Sequence, residues 1–124
     1  PAPAGVRQRL VGFFAQPARG IQVAITRQPP DDTAAVAMQP EQALDLPTAL
    51  AAYTIGAAWA LGIERETGSL EVGKAADLVV LSENLFELPP RALHRVKVLA
   101  TLLEGREVWV EPSWADGALR PPPR

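Results

Sequence analysis

Few side chains in this sequence could do chemistry, and they are scattered along it rather than clustered. His94 is the single histidine, set in a segment led by Pro89 and Pro90. A hydrolytic metal needs several donors converging on one ion, so a histidine without companions reads as a solvated linker residue. Asp31 and Asp32 follow Pro29 and Pro30 and could hold a cation, but a solvated loop is the ordinary reading of such a stretch. Asp77 precedes an apolar run, where an aspartate ordinarily accepts hydrogen bonds from backbone amides in a turn. Gly68, Gly73 and Lys74 suggest a phosphate cradle, yet the P-loop spacing and the helix that should follow it are missing. Trp59, Trp109 and Trp114 could stack a ligand, but they read as core, sheet surface or interface, and tail respectively. No Ser-His-Asp set and no pair of carboxylates can be assembled. The sequence therefore assigns no catalytic, no cofactor-binding and no metal-ligating residue.

Bulk properties narrow the classes further. The net charge of −2 gives no electrostatic footprint for nucleic acid or an acidic membrane. With zero cysteines there is no disulfide, no thiolate nucleophile and no Cys-ligated zinc, which is compatible with the cytosol. A length of 124 residues suits one domain with a modest core and falls short of a complete (β/α)₈ barrel, which needs roughly 200 residues or more. The apolar run from Leu10 to Ala15 is too short for the core of a signal peptide. Residues 46–63 carry no charge at all, but Pro47, Thr48, Thr54, Gly56 and many alanines make them weakly lipophilic. A buried soluble helix is expected there, with a membrane-associated helix as the weaker option.

The elements that would position these side chains are legible in part. Gly20 to Arg27, GIQVAITR, fits either a helix burying Ile21, Ala24 and Ile25 or a strand burying Ile21, Val23 and Ile25. Pro29 and Pro30 end it, and DDTAAVAMQPEQ reads as a loop with room for one helical turn. Asp45 is placed to cap the next helix by accepting from the amide of Thr48, with Pro47 tolerated in the first turn. That helix, residues 46–61, carries Leu46, Leu50, Tyr53, Ala57, Ala60 and Leu61 as one stripe. Ile55 and Trp59 lie on the other side, which predicts burial on two faces. Gly62 suits the left-handed position that closes it. Leu78-Val79-Val80-Leu81 reads as a strand covered on both faces. PPRALHRV reads as a short helix. Residues 96–110 read as a hairpin turning at Glu104-Gly105, where glycine supplies positive φ.

In this order these segments resemble the C-terminal end of metal-dependent amidohydrolases, particularly the branch called amidohydrolase family 3. The family's helix, its GSLEPGKDADLVVLD-like lead-in and strand, and its hairpin with a DGR-type turn correspond here to Asp45 to Gly62, Gly68 to Ser82, and Val96 to Val110 with Gly105-Arg106 at the turn. The stretch after Asn84, with Phe86, Pro89 and Pro90, resembles the family's linker. GIQVAITR resembles the stretch that follows the last metal-site loop, which would bring Arg27 towards a substrate in a complete enzyme. The likeness runs from about Gly20 to Val110. Departures are equally specific. The family's His-x-His pair has no counterpart, and Leu10 to Pro17 stands where a Ser-Asp-Trp context is expected, without an acid.

The resemblance implies an α+β fragment: an outer TIM-barrel helix or helices, then one strand and a β-hairpin of an incomplete β-sandwich. Residues 1–19 would be an arm, 20–62 the end of the barrel, 63–110 part of the sandwich and 111–124 a disordered tail. It further implies hydrolysis of non-peptide carbon–nitrogen bonds by the complete enzyme, with zinc or another divalent metal, and no cofactor in this chain. The contribution of these residues would be structural and, alone, inactive. The alternative is a non-catalytic module that self-associates, or pairs with a complementary hydrolase fragment, through open β edges. Neither reading involves nucleic acid or a membrane, and both place the chain in the cytoplasm.

Overall fold

The computed structural model describes residues 16–32 and 34–114. Leu10 to Ala15 and most of the expected tail lie outside the described residues. The chain has the α+β composition expected and divides into two compact units, each assembled from two separate stretches of sequence. Among the described residues, one holds 16–32, 34–53 and 85–96; the other holds 54–84 and 97–114.

In the first unit GIQVAITR is helical, as part of α1 (Pro17–Thr26). Pro17 occupies the first turn, where a missing N–H removes nothing the helix uses. Of the two sequence patterns the helical one wins, with Ile21 and Gln22 buried and the helix packed against a 3₁₀ turn at Pro90–Arg95. Arg27 ends the helix in the left-handed region at φ 56°, its amide donating to Val23 O at 2.8 Å. The loop then folds back: Met38 N donates to Arg27 O at 2.8 Å, and Leu44 N to Ala24 O at 3.0 Å. Its single helical turn is a 3₁₀ turn at Pro40–Gln42. Helix α2 (Leu46–Tyr53) packs on α1, with Ala49 buried. Asp45 caps it as the sequence predicts, its carboxylate accepting from Thr48 N at 2.8 Å. Hydrogen bonds from Thr48, side chain and then backbone, hold that carboxyl below its ordinary value. Leu93, from the 3₁₀ turn, is the largest fully buried side chain among the described residues.

The charge-free stretch is not one helix. Thr54, at φ −117° and ψ −99°, separates α2 from α3 (Ile55–Leu61). Two local costs meet at this point, a β-branched residue and, two positions on, Gly56. The Thr54 carbonyl restarts the ladder by accepting from Ala58 N at 3.1 Å. Gly62, at φ 73°, closes α3, as expected. The predicted burial on two faces does not occur: Trp59 is 72% exposed and Leu61 74% exposed, while Ala58 is buried. The small side chain makes the close contact here and the large ones are left in solvent.

The second unit continues into a three-stranded antiparallel sheet of order β1-β2-β3, with β1 (Leu78–Leu81), β2 (Val98–Leu103) and β3 (Arg106–Val110). Val79, Thr101 and Trp109 lie in one row across it, as do Val80, Ala100 and Val110 in the next. Opposed residues share a face, so the second row marks the covered side, where Ala100 is fully buried. Val79 and Trp109 are about half exposed on the other side. Strand β1 is therefore covered on one face only, against the two-sided burial its apolar run suggests. An extra residue, Val108, sits between Glu107, opposite Leu102, and Trp109, opposite Thr101. The turn between β2 and β3 has positive φ at both Glu104 (51°) and Gly105 (77°), the backbone of a two-residue hairpin loop.

Candidate functional site

Tryptophans aside, the residues that the sequence singles out fall into three groups, each defined by the hydrogen bonds and ion pairs it makes. In the second unit the turn-rich lead-in to β1 forms the first group. Asp77 accepts from Glu104 N at 2.8 Å through one carboxylate oxygen and from Thr67 Oγ1 at 2.8 Å through the other. The role is structural, as the sequence predicts, but the amide is not a nearby one: it lies 27 positions along the chain, in the hairpin turn. Glu104 adopts a left-handed conformation that side chains disfavour, and the bond to its amide holds it there. Gly105 N adds a bond to Ala76 O at 3.1 Å, so the hairpin tip is pinned to the start of β1 twice.

The amide of Glu104, and then the hydroxyl of Thr67, stabilise the ionised Asp77 and lower its pKa from the ordinary 3.8. A depressed carboxyl contributes stability that is present above the unfolded-state pKa and is lost as pH falls through the folded-state value. The Asp77→Asn chain should accordingly melt below the unsubstituted one at pH 7. The difference should shrink as the pH drops below 3.8, which thermal unfolding across a pH series would read. A gap that stays constant down to pH 2 would exclude this role for the charge.

Lys74 belongs to the same lead-in. Its ammonium meets Ser69 Oγ at 2.6 Å and Glu71 Oε1 at 3.1 Å, while Ser69 Oγ donates to Glu71 Oε1 at 2.5 Å. The hydroxyl of Ser69 and then Lys74 lower the pKa of Glu71. Lysine and carboxylate thus pair with one another within the turn. Gly68 and Gly73 have φ of 93° and 95° and serve the turn's backbone.

The second group is the loop after α1. Asp31 pairs with Arg19. Asp32 Oδ1 accepts from Ala34 N at 3.0 Å and Ala35 N at 3.1 Å. Arg27 Nε donates to Met38 O at 2.9 Å, which ties the guanidinium to its own loop. Each of these charges is engaged in holding the loop's path.

His94 forms the third group, with a partner that sequence reading missed. Gln22 is 2% exposed, and its side-chain oxygen accepts from His94 N at 2.8 Å and lies 2.9 Å from His94 Nδ1. The backbone amide can only donate, so it fixes the Gln22 oxygen towards His94. Nδ1 must then carry a proton to face that same oxygen, which leaves Nε2 as the acceptor of the neutral ring. The two residues are 72 positions apart, so no local pattern pointed to the pair. A polar residue at a helix position facing Leu93 was the one available signal. Replacing Gln22 with leucine strands the His94 amide and ring nitrogen, at an expected cost of about 1–3 kcal/mol. Urea unfolding checks this, and a neutral substitution would contradict the bonding described.

Among the described residues no three His, Cys, Asp or Glu side chains converge to hold a metal ion. No helix among them is long and apolar enough to cross a membrane.

Comparison with known proteins adds what the geometry lacks. A model described as "Amidohydrolase family" matches residues 13–109. The chain is 34% identical over 89 residues to an N-substituted formamide deformylase of Arthrobacter pascens, covering 72% of this chain and 16% of that protein. It is 48% identical over 44 residues to an imidazolonepropionase of Bdellovibrio bacteriovorus, covering 36% of this chain and 10% of that protein. The same enzyme name, from Symbiobacterium thermophilum, goes with 71% identity over 34 residues, 27% of this chain and 8% of that protein. The matched segment thus spans between 8% and 16% of the length of these three relatives. No solved structure matches significantly.

Proposed function

The chain belongs to the amidohydrolase family, and from that premise we propose that it is the C-terminal segment of a metal-dependent hydrolase acting on carbon–nitrogen bonds other than peptide bonds. The observation that carries the reading is the family match over residues 13–109, joined to a relative named for removing formyl groups from N-substituted formamides. In this reading residues 20–62 complete the end of a (β/α)₈ barrel and residues 63–110 supply a strand and a hairpin to a β-sandwich. A cytoplasmic location goes with it.

The zinc or other divalent ion expected of a complete family member finds no fitting donor set among the described residues. His94 is tied to Gln22, Asp31 to Arg19, and Asp77 to Thr67 and Glu104. The chain's part is to hold structure, and hydrolysis requires donors from outside the described residues.

Grafting tests this. Residues 13–109 should replace the segment they match in the Arthrobacter pascens deformylase with measurable formamide hydrolysis retained, whereas deleting that segment should abolish it. A folded chimera without turnover would reject the assignment. The 124-residue chain alone should show no amide hydrolysis above background with added zinc; chelator-sensitive turnover would reject the structural role.

One observation favours a second reading. Strands β1 and β3 are both edges of the sheet, with no further strand beside them among the described residues. Unpaired edges are templates for another chain, which supports an interaction module that pairs with itself or with a complementary hydrolase fragment, without nucleic acid or membrane.

A further inference from the structure

We propose that β3 is a self-complementary edge through which two copies of this chain pair antiparallel, with Arg106 of each opposite Glu111 of the other. The proposal rests on the second reading above and specifies the edge, the register and the partner.

The backbone determines which groups are free. In a two-residue hairpin loop the flanking residues, Leu103 and Arg106, direct their peptide groups at each other. Glu111 likewise points inward, donating its amide to Leu99 O at 2.8 Å. Peptide groups alternate along a strand, so the neighbours of these two residues, Glu107 and Val110, turn their N–H and C=O groups away from β2. Those outward groups can meet only residues that also point outward. Pairing Glu107 with Val110 of a second copy satisfies that condition twice, once on each side of a two-fold axis.

An uninterrupted strand would not allow this register. From Arg106 to Glu111 an unbroken alternation would leave the two ends facing opposite ways. The extra residue at Val108 brings them back into phase. With Glu107 opposite Val110, Arg106 falls opposite Glu111 and Val108 opposite Trp109. All four of these side chains share the face that carries Val79 and Thr101, the uncovered side of the sheet. The Val108 and Trp109 side chains are 57% and 46% exposed, so pairing them removes apolar surface from water at the centre of the contact. Opposite charges close it at both ends. Arg106 makes no ion pair among the described residues, while Glu111 Oε2 accepts from Ser113 N at 2.9 Å and leaves Oε1 available.

Sedimentation velocity on the 124-residue chain over a wide concentration range tests the pairing. A concentration-dependent dimer is expected. Arg106→Glu or Glu111→Arg alone places like charges opposite each other at two symmetric positions and should weaken the dimer about tenfold or more. The double variant, which exchanges the charges, should restore it. Val110→Pro is the second probe: the proline lacks an N–H that points away from β2, so the hairpin survives and the dimer is lost. A chain that stays monomeric at every concentration overturns the pairing and the self-association half of the interaction reading, while binding of a complementary hydrolase fragment is a separate outcome. A dimer that ignores the charge reversals, or is not restored by the exchange, overturns this register while edge pairing of some other kind stands.

Discussion

Replacing Leu93 with alanine is expected to destabilise the first unit by about 2–5 kcal/mol, the largest effect of any single truncation in it. Leu93 is 1% exposed and comes from a 3₁₀ turn, an element that has little intrinsic stability. It holds that turn against α1, beside Ile21 at 4% exposure and Gln22 at 2%. Truncation leaves a void that the surrounding structure fills only in part. The hydrogen bonds from His94 to Gln22 depend on the same docking, so they are lost with it. Native marginal stabilities are of order 5–15 kcal/mol, so the variant should lose the first unit's protection from amide hydrogen exchange. A change below about 1 kcal/mol in urea unfolding would mean that Leu93 does not organise this core.

The second large effect is expected at Gly68. A Cβ there would lie 2.6 Å from the Ala58 Cβ and 3.1 Å from the Ile55 Cα, and the residue has φ of 93°. The Ile55 contact is backbone, so no rotamer change relieves it. Left-handed strain of roughly 1–2 kcal/mol and overpacking of roughly 1–3 kcal/mol therefore combine in Gly68→Ala. Gly73 supplies the control, with φ of 95° and open space within 4 Å of where a Cβ would stand. Gly73→Ala should show the backbone strain alone. Equal losses at the two glycines would show that the approach of the turn to the start of α3 carries no weight.

What the sequence revealed follows the range of the interactions involved. The Asp45 cap, the closure at Gly62 and the turn at Gly105 are each decided within a few residues, and all three stand as expected. Family membership was likewise legible, because turn glycines and apolar runs keep their order. The helix–strand ambiguity of GIQVAITR could not be resolved locally, since the 3₁₀ turn that packs on this helix and bonds Gln22 lies some 70 positions later. Thr54 interrupts a stretch with no charge to mark a boundary, and although threonine is an N-cap residue type, a lone threonine also occurs inside helices. The exposure of Trp59 was also hidden, because an apolar residue announces a preference for burial and not the presence of a neighbour. Val79 repeats the lesson in the sheet: a run of four apolar residues looks the same whether one face is covered or two.

The division of the two units along the chain has a consequence for how it is made. Residues 85–96 belong with the first unit, yet they emerge after residues 54–84 of the second. During synthesis neither core can close when its first stretch leaves the ribosome. Each must wait for the other's residues to pass, and β3 is the last of the described strands to emerge. A nascent chain arrested before Leu85 would therefore expose α1 and α2 without the leucine that seats them, making this the interval in which chaperone capture is most strongly favoured.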